Sequence, residues 1–309
     1  MMLVQDLFQT TFQNPVLLAS GTAGYGSEIA RNIDLDQLGG IVTKAVTPEY
    51  RAGNPAPRVA EFDAGMMNSV GLANVGLQAF KTEKLPWLRE NLHRAKILIN
   101  VAGRMTEDYL EIVETLDPEE GFSAYELNLS CPNVKEGGAI FSSDPELLHQ
   151  LVSQVRPLTK RPLIVKLAPN VPEIGAIAEA AESAGADGLT LINTMPGLLF
   201  DTTTRRPLLG AGTGGVSGPA LLPIGVNAVY QARRRVELPI IGVGGIRSGD
   251  DAVQYLLAGA SLVQIGTASF ADPTAARRVL SGLERYLRRH QISDLRELIG
   301  AGHRVMADH

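Results

Sequence analysis

Eight short runs of apolar and β-branched residues recur along the chain, at 15–20, 40–46, 97–102, 124–129, 162–167, 188–193, 239–243 and 262–266. Each is nearly continuous in its hydrophobicity rather than alternating, the pattern of a strand covered on both faces. Most are followed by amphipathic segments, at 108–115, 145–156, 172–184, 219–235, 250–258 and 273–288. Eight such units in 309 residues predict an α/β protein of the (β/α)8 barrel type, the TIM barrel, filling 1–309 as one domain. An open doubly wound sheet is the other arrangement the pattern permits. Asp144-Pro145 and Asp272-Pro273 each place a capping residue before a proline and are expected helix starts.

Two connections are too long for plain strand-to-helix loops. Residues 47–75 follow the second run and 194–218 follow the sixth. Long loops inside a compact domain are usually functional, and both of these belong at the C-terminal mouth, where they are expected to form a roof with small local sheets. The formal net charge of −5 and the absence of a basic cluster beyond Arg233-Arg-Arg235 and the spaced arginines at 277–289 argue against nucleic acid as a partner. No basic-then-apolar leader occupies 1–13, and no run approaches the roughly 18 apolar residues that cross a bilayer. With a single cysteine, these features predict a cytoplasmic protein.

That cysteine, Cys131, lies in Glu126-Leu-Asn-Leu-Ser-Cys-Pro-Asn-Val-Lys135, just past the fourth run. Free cysteines often behave as small buried hydrophobes. A strand's C-terminal end, however, is where barrels carry chemistry, and Asn128 and Asn133 flank it. Lys44 and Lys166 interrupt otherwise apolar runs. A lysine there is costly unless it meets an anion, and two facing one mouth are better explained by an anionic ligand than by snorkelling. Asn68, Asn100, Asn128 and Asn193 add amides that both donate and accept, which suits a flat heterocycle with alternating C=O and N–H groups. Gly242-Val-Gly-Gly-Ile246 and Gly266-Thr267 end the last two runs, the usual phosphate site of such barrels, and Gly215-Val-Ser-Gly-Pro219 adds a third glycine turn entering a helix.

Together these segments resemble the class 1 dihydroorotate dehydrogenases, flavoproteins of pyrimidine synthesis, and most of all their class 1B catalytic subunits. The resemblance runs from Asn14-Pro-Val-Leu-Leu-Ala-Ser-Gly21 to Gly266-Thr-Ala268. It takes in Thr43-Lys-Ala-Val-Thr47, Gly53-Asn-Pro-Ala-Pro-Arg58, Gly65-Met-Met-Asn-Ser-Val-Gly-Leu72, Asn128-Leu-Ser-Cys-Pro-Asn-Val-Lys135 and Gly214-Gly-Val-Ser-Gly-Pro219. Val75 departs from the family, which usually has proline there, and this bears on the stiffness of the 71–76 loop. The resemblance implies FMN as cofactor, held by Ser20, Lys44, Ala45, Asn100, Asn128, Lys166, Ile192, Gly218, Gly244, Gly245, Gly266 and Thr267, with Lys166 beside the N1/C2=O edge of the flavin. Dihydroorotate would be held by Lys44, Asn68, Gly71, Leu72, Asn128, Asn133, Asn193 and Thr194. Cys131, as thiolate, would take the C5 proton while hydride leaves C6. The 131–138 segment would be a lid, with Gly137-Gly138 as its hinge.

One cysteine excludes an internal iron–sulfur relay of the four-cysteine kind, and no GxGxxG follows a strand. The class 1B resemblance instead implies a partner subunit carrying FAD and a [2Fe-2S] cluster, leading to NAD, around a homodimer of this chain in a heterotetramer. Lys135-Glu-Gly-Gly138 favours that class over the fumarate-using class 1A. The class 2 membrane extension and serine base are not found. Two other readings are a dihydropyrimidine dehydrogenase, whose ferredoxin-like segments are missing here, and a non-enzymatic barrel that binds a phosphorylated ligand. The second leaves Cys131, the two lysines and the asparagine ring unexplained.

Overall fold

Val16–Leu18 (β1), Gly40–Val42 (β2), Lys96–Val101 (β3), Ala124–Asn128 (β4), Leu163–Leu167 (β5), Gly188–Leu191 (β6), Ile240–Val243 (β7) and Leu262–Ile265 (β8) pair side by side in chain order, and β8 pairs back onto β1. Every one of these pairings is parallel, so the sheet closes into a barrel and the open-sheet alternative is excluded. The computed structural model describes residues 2–129, 132–133 and 139–306. Helices Thr106–Leu116, Pro145–Val155, Ile174–Ser183, Leu222–Arg233, Gly249–Ala258 and Ala275–Arg289 follow β3 to β8 and cover the barrel's outer wall.

Asp144 caps its helix as expected, accepting from the backbone N–H groups of Glu146 and Leu147. Asp272 does not sit at a helix N-cap. It accepts from the N–H and hydroxyl of Thr274, and the helix begins after that turn, at Ala275. Ser248 and Asp251 form a reciprocal capping box on the helix after β7. The helical stretch from Leu77 to Asn91 has no counterpart among the amphipathic segments expected from sequence. The middle of the stretch, Phe80–Lys84, is a π-helical turn, and Pro86 follows it near the start of Leu85–Asn91.

The N-terminal hairpin, Gln5–Leu7 with Thr10–Phe12, closes the bottom of the barrel. Phe8 and Phe12 meet edge to face and pack against the inward residues Leu17, Val42, Leu98, Ala124, Ile164, Ile241 and Leu262. On β6 the corresponding position is Gly188, where an added Cβ would overlap the Phe8 ring. The hairpin therefore supplies the side chain that β6 lacks.

At the other end, the two long loops form a roof. Val59–Phe62 pairs with Gly65–Asn68, which pairs with Gly214–Ser217, which pairs with Met195–Gly197, all antiparallel. This bears out the expected roof. The 71–76 loop, despite Val75, is braced by Asn74, whose side chain donates to Thr47 Oγ1 and the Leu72 carbonyl and accepts from Gly76 N–H.

Candidate active site

Strand side chains alternate, so a residue two places beyond an inward position also points inward, one layer nearer the C-terminal mouth. Two places beyond the apolar bottom layer stand Ala19, Lys44, Asn100, Glu126, Lys166, Thr190, Val243 and Gln264. Ala19, Lys44, Lys166 and Val243 border a cavity of about 1230 Å³ between this layer and the roof. Asn100, Glu126, Thr190 and Gln264 are fully buried beneath it.

Glu126 organises that floor. Its Oε1 accepts from Asn100 Nδ2 at 2.7 Å and faces Lys166 Nζ at 3.4 Å. Its Oε2 accepts from Thr190 Oγ1 at 2.9 Å and Gln264 Nε2 at 2.8 Å. Lys166 thus has a counter-ion inside the barrel, a partner that the sequence reading did not provide. Lys44, half-buried at the end of β2, is different. Burial pushes its pKa below that of an ordinary lysine, opposed by Glu28 and reinforced by Arg58.

The next layer out, Asn128, Ala168, Ile192, Gly245 and Gly266, lines the cavity wall. Asn193 Nδ2 donates to Asn128 Oδ1 at 3.1 Å, and the Asn193 carbonyl oxygen of the side chain accepts from Thr194 N–H. Tyr109 holds the Asn128 backbone by donating to its carbonyl at 2.7 Å. The roof contributes Asn68, which donates weakly to the Gly215 carbonyl, and Gly71-Leu72, both in the left-handed backbone region. A Cβ at Gly71 would stand 2.5 Å from Asn54 Cγ, so this turn requires a glycine.

Gly218, Gly244, Gly245, Gly266 and Thr267 gather on one side of the cavity. Gly244 and Gly245 have positive φ, and Tyr255 Oη anchors the turn by donating to the Gly244 carbonyl at 2.7 Å. Gly266 is unlike them. Its φ is not positive, and a Cβ there would make only ordinary contacts, with Ala19 Cβ at 3.5 Å and Thr22 Cγ2 at 3.7 Å. Nothing in the protein itself demands a glycine at 266.

Of the residues singled out from sequence, Ser20, Lys44, Ala45, Asn68, Gly71, Leu72, Asn128, Lys166, Ile192, Asn193, Thr194 and the five phosphate-side residues all line this one cavity. Asn100 sits in its floor. Cys131 and the 134–138 part of the expected lid lie outside the described residues, and Asn133 is described only as backbone, in the short pairing of Pro132–Asn133 with Ala139–Ile140. The sequence reading missed Glu126, Thr190, Gln264, Tyr109 and Tyr255. Glu126 carried a usable signal, a charge inside an apolar run, the same one that marked the two lysines. Among the described residues no group of three His, Cys, Asp or Glu could hold a metal, and no helix is long and apolar enough to cross a membrane.

Comparison with known proteins agrees in fold and in sequence. A family model described as dihydroorotate dehydrogenase matches residues 2–287. The catalytic subunit of dihydroorotate dehydrogenase B (NAD(+)) from Geotalea uraniireducens (strain Rf4) is 47% identical over 289 residues, 94% of each chain. A protein of Solibacter usitatus (strain Ellin6076), provisionally named dihydroorotate dehydrogenase A (fumarate), is 50% identical over 288 residues, 93% of this chain and 94% of its own. The crystal structure of a DHODH from Eimeria tenella in complex with ferulenol shares the fold, with a TM-score of 0.82, 24% identity, and coverage of 98% of this chain and 89% of that one.

Proposed function

This chain belongs to the dihydroorotate dehydrogenase family, and we propose that it oxidises dihydroorotate to orotate with FMN as cofactor, as one FMN-binding domain over 1–309. The observation that carries the reading is the convergence on one cavity of a glycine-lined phosphate side, a buried lysine and a set of amides. The cavity's own chemistry fits FMN. Gly266 presents bare backbone to the cavity where a phosphate would approach, and the buried acceptors Asn100 Oδ1 and Gln264 Oε1 have no partner among the described residues. When bound, FMN supplies a two-electron hydride acceptor.

The protein's part is positioning and proton transfer. Gly218, Gly244, Gly245, Gly266 and Thr267 hold the phosphate, while Ser20, Ala45, Asn100, Lys166 and Ile192 hold the ring system. Lys44, Asn68, Asn128, Asn133, Asn193, Thr194 and the Gly71-Leu72 backbone orient the substrate, with Lys44 set against its carboxylate. Cys131 is the base that removes the C5 proton. The roof over the cavity excludes water. Electrons leave through a partner subunit with FAD and a [2Fe-2S] cluster to NAD, around a homodimer of this chain in the cytoplasm. The relatives named as NAD(+)-type catalytic subunits support this route. The fumarate-type name of the 50% identical relative favours a second reading, direct reoxidation by fumarate.

The test is spectroscopic and then kinetic. The purified chain should be yellow and should bleach anaerobically on addition of dihydroorotate. With an artificial dye it should turn over, and it should reduce NAD poorly until a partner of the stated kind is added. A colourless chain that takes up no added FMN defeats the cofactor assignment. Fast turnover with fumarate moves the chain to the second reading.

A further inference from the structure

Among the described residues, Glu126 is the one fully buried carboxylate and Lys166 the one buried ammonium, and they share the barrel axis. Four strands send a donor to this single carboxylate: β3 through Asn100, β5 through Lys166, β6 through Thr190 and β8 through Gln264. A packed apolar layer of the kind seen one step below would hold the barrel together without any of these groups. The polar layer stands instead directly under the cavity, and two of its members are assigned above to the flavin.

We propose that Glu126 is a positioning residue for flavin chemistry: it fixes Lys166 and Asn100 and offsets the Lys166 charge, holding the flavin's reduction potential down. The inference rests on the proposed placement of FMN over Lys166. At 3.4 Å, with both side chains buried, the carboxylate cancels much of the field that Lys166 would otherwise project into the cavity. Reduction adds negative charge to the flavin, so an uncompensated lysine would stabilise the reduced form and make it a poorer electron donor. Glu126 keeps the cation in place for substrate oxidation while leaving the reduced flavin able to pass electrons onward.

The test is Glu126→Gln in the FMN-loaded chain, read as a reduction potential against reference dyes. The amide is isosteric, and its new donor can be met by the Thr190 hydroxyl or by rotation of the Gln264 amide. The two-electron equilibrium should shift toward reduced flavin by tenfold or more, a rise of about 30 mV. Reoxidation by a low-potential acceptor should slow. In a Lys166→Gln background the same substitution should shift the potential less, since only the carboxylate's own repulsion of the reduced flavin is left to remove. An unchanged or lowered potential in Glu126→Gln, or an equal rise without Lys166, overturns the proposal. Should Glu126→Gln fail to fold, Glu126→Asp keeps the charge but withdraws it from Lys166, and should give a smaller rise. No rise, or a fall, overturns the proposal equally. A wild-type chain that binds no FMN would overturn the placement beneath it. Bound FMN with an unshifted variant would overturn this inference alone.

Discussion

Lys44 shows how one half-buried ammonium links stability to ligand binding. Its pKa is lowered by burial, so between that value and the ordinary 10.5 the unfolded chain binds the extra proton. Stability of the ligand-free protein should therefore rise with pH across that window. A carboxylate ligand facing Lys44 pushes the pKa back up, so orotate binding should take up a proton there and weaken as pH rises, by at most about tenfold per unit. Calorimetry in two buffers of different ionisation heat measures that proton, and Lys44→Met should abolish it. Proton uptake that survives in the variant would assign it to another group. For Cys131, alanine should leave flavin and orotate binding intact yet slow flavin reduction by about 10²–10⁴-fold, as stopped-flow absorbance would read. Serine should retain some activity, shifted to higher pH. At this scale the sequence was most legible where a residue broke its run's pattern, as Lys44 and Lys166 do. It was silent where an ordinary core tyrosine, such as Tyr109 or Tyr255, acts through its hydroxyl on a backbone carbonyl.

The helix after β6 and the turn after β7 are joined through Tyr255. Gly225 in the first and Gly242 in β7 both lie against its ring, and a Cβ at either would overlap it. Glycine-to-alanine changes inside helices ordinarily stabilise by roughly 0.5–1 kcal/mol. Gly225→Ala should instead cost about 1–3 kcal/mol through overpacking, and Tyr255→Phe, which removes the obstructing hydroxyl, should recover part of that loss in denaturant melts. Tyr255→Phe alone should also loosen FMN retention, since the Gly244 carbonyl loses its donor. Strands and the six following helices were readable because burial on both faces and a helical stripe leave different periods in the sequence. The helix starting at Leu85 was not, since a proline carries the same letter whether it ends a helix or begins one. The Asp272 turn misled for a related reason: the cap and the helix start share a local pattern, and only the fold decides which forms.

At the level of the whole barrel, stability and chemistry sit at opposite ends. Phe12 is buried in the bottom plug, far along the axis from the cavity. Phe12→Ala should lower stability by about 3–5 kcal/mol while leaving the KM for dihydroorotate unchanged at temperatures where the variant stays folded. A matching loss of substrate affinity would show that the plug also shapes the site. The barrel itself was legible as a count of runs, but the plug was not. Its residues 5–12 are short and mixed in polarity, and their partners are scattered along the chain through Leu262. The roof adds a constraint of a different kind, on timing during synthesis. Gly65–Asn68 finds its partner in Gly214–Ser217, and Asn68 meets Gly215 across 147 residues. At ribosomal speeds of about 5–20 residues per second, that interval lasts about 7–30 s. During it the early strand has a free edge on the nascent chain, and the glycines assigned to the phosphate have yet to be made. Capture of the proposed FMN would therefore be an event of the released, or nearly released, polypeptide.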